Sequence, residues 1–142
     1  MTVLMERLHP PTPWLDELPS LDEPLEMWER AIEPLWVGAW SRSGLRTTRP
    51  YRKNGGTYVV RLGPYLKIGH TGNIAYRLTQ LPYEEVIATF ASQRIEFVLH
   101  EAFENLRVDL PNGMREWFQD SPVVRRVLEI LPTKYGREAR LA

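Results

Sequence analysis

The run Gly56-Thr57-Tyr58-Val59-Val60-Arg61-Leu62-Gly63-Pro64-Tyr65-Leu66-Lys67-Ile68-Gly69-His70-Thr71 decides the fold. Two β-rich stretches, 57–62 and 65–69, flank the turn pair Gly63-Pro64, so they are expected to pair as an antiparallel hairpin. With Leu62 opposite Tyr65, Val60 faces Lys67 and Tyr58 faces Gly69. Period-two alternation then puts the Tyr58 phenol and the Lys67 ammonium on one sheet face as diagonal neighbours, roughly 7–8 Å apart at the backbone. An odd-length loop would break that parity. Gly69, opposite Tyr58, is expected either to leave room for a phosphate backbone or to serve turn geometry.

Directly after the hairpin, Asn73 is placed to cap a helix over 74–81, with Ile74, Leu78 and Leu81 on its buried stripe and Pro82 as its stop. Arg77 falls on the flank of that stripe, where a guanidinium can lean over the face carrying Tyr58 and Lys67. The alternative is a solvated arginine. A second helix is expected over 93–106, capped by Ser92, with Ile95, Val98, Leu99, Ala102, Phe103 and Leu106 as an apolar stripe. At roughly 100° per residue, Glu96, His100 and Arg107 lie within about 40° of one another beside that stripe. On the helix alone, Glu96 and His100 also read as an ordinary i, i+4 surface pair.

These segments resemble the core motifs of the GIY-YIG nuclease superfamily, in particular its phage T5-type branch. The match is carried by Gly56-Thr57-Tyr58, Lys67-Ile68-Gly69-His70-Thr71, Arg77-Leu78, the helix Glu96-Phe97-Val98-Leu99-His100-Glu101-Ala102-Phe103, Arg107, and the closing Glu116-Trp117-Phe118. It covers roughly 55–118. Lys67 stands where the wider superfamily usually has tyrosine, and Thr57 replaces an aliphatic residue, a change expected to matter little.

The resemblance implies a small α/β (α+β) domain, a short mixed or antiparallel sheet flanked by helices, and a metal-dependent endonuclease hydrolysing phosphodiester bonds in nucleic acid, with DNA favoured over RNA as the substrate. Glu96 is then expected to hold one Mg²⁺ or Mn²⁺, since a hard cation that keeps most of its waters suits a site with one carboxylate. Arg77 is expected to clamp charge developing on the phosphate. Tyr58 and Lys67 share the base role. Unperturbed tyrosine and lysine titrate near about 10 and about 10.4, so one must be lowered, and cations around Tyr58 are expected to lower its phenol. His70 and Thr71 at the mouth are candidates for contact with nucleic acid, and His100 for support of Glu96. The alternative is a catalytically silent nucleic-acid-binding or assembly module that keeps this fold. Trp117 and Phe118 read as core closure rather than base stacking, and Glu116 as a surface residue, with approach to the metal as its alternative.

Composition frames this reading. The chain has 142 residues, 43% of them hydrophobic, enough for one compact domain with an extension. It contains no cysteine, which removes disulfides and thiolate metal sites and fits a cytoplasmic location. No apolar run suggests a membrane span. Zero net charge conceals a split: residues 1–40 carry eight Asp/Glu against Arg7 and Arg30 (2 − 8 = −6), and the remainder carries 16 − 10 = +6. Arg49, Arg52 and Lys53, with Arg42 and Arg46, form a basic arm ahead of the first strand, suited to a phosphate backbone or simply solvated. Arg125, Arg126, Lys134, Arg137 and Arg140 form a basic tail that reads as a solvated helix face, after a helix over 122–131 started by Ser121-Pro122. The chain divides into an acidic, Pro/Trp-rich extension with its basic arm (1–53) and the nuclease-like domain (54–142). Trp14, Trp28, Trp36 and Trp40 point to docking of 1–40 on the domain or on a protein partner, including a second copy, with one helix over 24–32. An acidic cover over the basic cleft is a further expectation for that segment.

Overall fold

The computed structural model describes residues 18–44, 55–110 and 115–135, with the side chains of 35–44 and 131–135 outside that description. Its elements run α1 (Leu25–Gly44), β1 (Gly56–Leu62), β2 (Tyr65–Thr71), α2 (Ile74–Leu78), β3 (Glu85–Phe90), α3 (Arg94–Ala102), a 3-10 turn (Glu104–Leu106), β4 (Trp117–Gln119) and α4 (Pro122–Tyr135). Among the described residues the four strands form an antiparallel sheet in the order β3-β1-β2-β4, giving the expected small α+β architecture.

The hairpin has the register that its even loop dictates. Leu62 pairs with Tyr65, Val60 with Lys67 and Tyr58 with Gly69. Gly63 supplies the positive φ, 61°, that a tight two-residue hairpin turn needs at its first central position, and Pro64 follows it. Alternation then sorts the faces. Val59, Leu66, Ile68, Ala88, Phe90 and Phe118 enter the core beneath the helices, and Tyr58, Val60, Lys67 and Trp117 lie on the other face, also buried.

β3 has no counterpart in the expected elements, although Val86-Ile87-Ala88-Thr89-Phe90 is a β-rich run. It pairs with β1 through an irregularity between Val59 and Val60, which interrupts simple alternation on the β3 side. The helices also depart from their expected bounds. α2 stops at Leu78, because the Thr79 amide and hydroxyl both turn back to the Tyr76 carbonyl, at 3.0 and 2.6 Å. α3 breaks at Phe103, which is fully buried, and passes into the 3-10 turn. Arg107 therefore leaves the helical face it was expected to share with Glu96 and His100. Its guanidinium forks onto Glu104 (2.8 and 3.1 Å) and stacks 4.9 Å from the Phe118 ring, bracing β4.

α1 begins close to its expected start but runs on through Pro34. An internal proline costs a helix about 3 kcal/mol. Trp28 and Ile32 offset that cost: both are fully buried in the same core cluster as the sheet, and each buried side chain of this size contributes roughly 1.5–3 kcal/mol. Trp28 also donates from Nε1 to the Ser20 carbonyl at 2.9 Å. α4 starts where Ser121 Oγ accepts from the Val124 amide at 3.3 Å, and it buries Val124, Val127, Leu128 and Ile130.

Gly69 has a role different from both expected ones. A Cβ there would lie 2.5 Å from the Tyr58 hydroxyl oxygen and 2.7 Å from its Cζ, so the missing side chain makes room for the phenol ring of the paired strand. Tyr58 is fully buried and has little freedom to move aside. Gly69→Ala is expected to destabilise the protein by about 1–3 kcal/mol through overpacking, measured by urea unfolding. In a Tyr58→Ala background the same change is expected to cost much less, because the clash is then absent.

Candidate active site

The site forms where the two sheet faces meet α2 and α3. Asn73 caps α2 as expected, its side-chain oxygen accepting from the Tyr76 amide at 3.0 Å, and this fixes the helix start beside the end of β2. Thr71 is used in that turn. Its hydroxyl accepts from the Asn73 amide at 3.2 Å, and its carbonyl accepts from the Gln93 side chain at 2.9 Å. Arg77 then reaches back to hydrogen-bond the Tyr58 phenol.

Tyr58 is the hub. Burial pushes its phenol above the ordinary tyrosine range, and this is the largest influence on it. The Arg77 hydrogen bond pulls it down, the Glu116 carboxylate pushes it up, the Arg77 charge pulls it down and Glu96 pushes it up. The net direction is upward. The expectation that surrounding cations lower this phenol is therefore corrected: desolvation and two carboxylates outweigh one guanidinium.

Lys67 lies on the same face, 4% exposed, with its ammonium 3.6 Å from Glu116 Oε2 and 5.7 Å from the centre of the Trp117 ring. A charged ammonium taken from water needs such a partner. Glu116 was expected on the surface, yet it faces both Lys67 and Tyr58. The strand pairing explains this: Lys67 sits opposite Trp117, so the preceding residue is carried to the rim of the same face. The signal was present in the closing Glu-Trp-Phe motif, whose glutamate has approach to the metal as its alternative to the surface.

Glu96 arrives from the other layer. Its helix packs on the core side of the sheet, and its carboxylate is brought to the open end of the hairpin, where Thr57 pairs with His70. His70 Nδ1 meets Glu96 Oε2 in a close contact. His100 Nε2 lies 3.4 Å from Glu96 Oε1 and donates to the Ile68 carbonyl at 2.8 Å. Burial lowers the His100 pKa, against opposing pulls from the Ile68 hydrogen bond and from Glu96, so the ring is neutral near pH 7 and its Nε2–H orients it. The imidazole also packs edge-on against Phe118, with centroids 5.0 Å apart.

The structure thus gathers Tyr58, Arg77, Glu96, Lys67 and Glu116, with His70 and His100 around Glu96. Among the described residues no group of three or more His, Cys, Asp or Glu can hold a metal ion unaided. A single carboxylate with water and phosphate oxygens as its co-ligands is the donor set that remains, and it fits a hard dication. Arg49, Arg52 and Lys53 lie outside the described residues. In the basic tail, Arg125 pairs with Asp120 (2.9 and 2.8 Å), and Arg126 pairs with Glu129 (3.5 Å) and donates to the Glu23 carbonyl, so both serve the fold. No helix among the described residues is long and apolar enough to cross a membrane.

Comparison with known proteins gives one family. Residues 52–132 match the T5orf172 domain, more than half of the chain. No curated protein and no solved structure matches. The matched span contains the whole hairpin, Arg77, Glu96, the closing strand and the start of α4, so the chain belongs to the T5orf172 domain family, a GIY-YIG-like, nuclease-associated domain.

Proposed function

We propose that this protein is an endonuclease that hydrolyses phosphodiester bonds in DNA with the help of one divalent cation, Mg²⁺ or Mn²⁺. The observation that carries the reading is the convergence on Tyr58 of an arginine from α2, a carboxylate from α3 and a carboxylate from the residue before β4, with Lys67 paired to the last of these. Hydrolysis needs an activated water, a counter-charge for the phosphate and a stabilised leaving oxygen. A dication held by Glu96 supplies charge neutralisation and a more acidic water when it is bound.

The remaining work falls to the chain itself. Arg77 offers a planar set of donors to the phosphate oxygens as negative charge grows on them. Tyr58, neutral in the resting protein and fixed by Arg77, orients the attacking water through its hydroxyl. In the loaded site Tyr58 gives up its phenolic proton to solvent, and the phenolate, steadied by the Lys67 ammonium, takes up the water's proton as the water oxygen bonds to phosphorus and the leaving P–O bond breaks; the leaving oxygen is protonated from solvent. Neutral His100 keeps Glu96 directed towards the hairpin end, and His70 at the exposed rim faces the nucleic acid. Arg49, Arg52 and Lys53 extend the contact along the phosphate backbone.

A second reading has its own support. Tyr58 is 1% and Lys67 4% exposed, and Glu96 is already engaged by His70, which suits a domain that binds nucleic acid or a protein partner without cutting. Plasmid cleavage with Mg²⁺ separates the two. Arg77→Ala and Glu96→Ala are each expected to reduce cleavage by about 10²–10³-fold while leaving the fold intact. Equal activity in wild type and both variants refutes the site; salt-sensitive DNA binding by wild type without cleavage supports the silent module.

The Tyr58 environment predicts a pH dependence. Its folded pKa is raised, so the stability associated with the neutral phenol is fully present below the unfolded value near about 10. It is lost as pH rises through the folded value, because there the unfolded chain ionises first. Urea unfolding between neutral and strongly alkaline pH is expected to show a steeper stability loss for wild type than for Tyr58→Phe. Parallel curves for the two proteins count against the raised phenol.

A further inference from the structure

Thr57 is fully buried, and its hydroxyl makes two bonds that leave its strand. Oγ1 donates to the Ser92 carbonyl at 2.8 Å and accepts from the Glu96 amide at 3.0 Å. The residue at the N-cap of α3, Gln93, makes no side-chain capping bond of its own. The Glu96 amide also meets the Gln93 carbonyl at 3.3 Å, a longer i→i+3 contact. Ser92 Oγ accepts from the Arg94 amide at 3.1 Å, as expected of a cap, and the strand hydroxyl adds a second acceptor further along the first turn, at the Glu96 amide.

The consequence concerns Glu96. In the first turn of a helix the carboxylate-bearing residue inherits its position from the helix start, and here that start is tied to β1 one residue before Tyr58. Thr57 also pairs across the hairpin with His70, the residue in contact with the Glu96 carboxylate. Alternation places the Thr57 side chain on the core face, on the opposite side of the strand from Tyr58. The two adjacent residues therefore set the two halves of the site, Tyr58 directly and Glu96 through the hydroxyl.

We infer that Thr57 is a positioning residue that holds Glu96, by its main-chain amide, in register with Tyr58 for binding of the divalent cation. The inference rests on the endonuclease reading, in which Glu96 is the metal ligand. An aliphatic residue at this position has the shape but neither bond, and a methyl group in place of the hydroxyl strands one buried donor and one buried acceptor.

The test compares wild type, Thr57→Val, Thr57→Ser and Glu96→Gln as full-length chains. The first measurement is the Mn²⁺ concentration that half-saturates plasmid cleavage. Thr57→Val is expected to raise it ~tenfold or more, in the range seen when a residue supporting a metal ligand is lost, with cleavage at saturating Mn²⁺ close to wild type. Thr57→Ser is expected to restore most of the affinity. The second measurement needs no activity: amide hydrogen exchange in the metal-free protein. The Glu96 amide is expected to exchange about tenfold faster in Thr57→Val, as for loss of one net hydrogen bond, while the Val59 amide in the sheet keeps its wild-type rate.

A Thr57→Val protein with wild-type metal dependence and a wild-type Glu96 exchange rate overturns the inference and leaves the endonuclease reading standing. Wild type and Glu96→Gln with the same metal dependence overturn both. Thr57→Ala removes the same two bonds without the added methyl and is read in the same way if the valine protein does not fold.

Discussion

The packing of the Tyr58 ring over the bare backbone of Gly69 is the contact on which the other placements depend. It is possible only in one register of the β1–β2 hairpin, since a slip of one residue would exchange the two faces along both strands. With the register fixed, Lys67 falls on the face of Tyr58, and His70 falls on the face of Thr57 at the open end. The Asn73 cap fixes where α2 begins, and with it the reach of Arg77 to the phenol. Tyr58, Lys67, His70 and Arg77 thus follow from the hairpin, its turn and the helix start that succeeds it. Only the carboxylates have to be brought from elsewhere in the chain.

Those carboxylates answer a problem of solvation. Lys67 is withdrawn almost entirely from water, and a buried ammonium without a partner is strongly unfavourable. Glu116, just before β4, meets it, half in solvent, and the Trp117 ring covers it. On the other side, α3 places Glu96 between a neutral, half-buried histidine and an exposed one. The two acids come from different parts of the fold, and both act on Tyr58 and on His100. That arrangement explains why a three-residue strand, β4, matters to the site as well as to the core.

The sequence made some of this legible because the rules involved are local. An even loop, an Asn before an apolar stripe and a helical stripe of Ile95, Val98 and Leu99 each specify their element through near neighbours. The misses share a tertiary cause. β3 pairs through an irregularity that spoils the alternation by which strands are recognised, and Pro34 is carried inside α1 by the burial of Trp28 and Ile32. Phe103 breaks a stripe that periodicity alone would continue. Thr57 was set aside as a tolerated replacement because nothing in its own strand shows that its hydroxyl reaches Ser92 and Glu96, 35 and 39 residues away. Glu116 was placed on the surface for a similar reason, since only the pairing of Lys67 with Trp117 turns it towards the site.

The upward displacement of the Tyr58 phenol bears on how a base can arise there at all. In the resting site the charged groups identified around it, Arg77 and Lys67 against Glu96 and Glu116, balance in sign, so burial decides and the phenol stays protonated. On the proposed reading, loading the site with a phosphodiester monoanion and a dication adds net positive charge beside it. Arg77 turning part of its donor set to the phosphate removes some of its pull, yet the added cation lies on the Glu96 side and cancels the carboxylate that raises the phenol from there. The cation therefore shifts the balance towards the phenolate, and a bound phosphate monoanion offsets only part of that shift. A buried, neutral tyrosine is in that case the form the site should hold at rest, because it keeps the base unavailable until the dication supplies the charge that creates it.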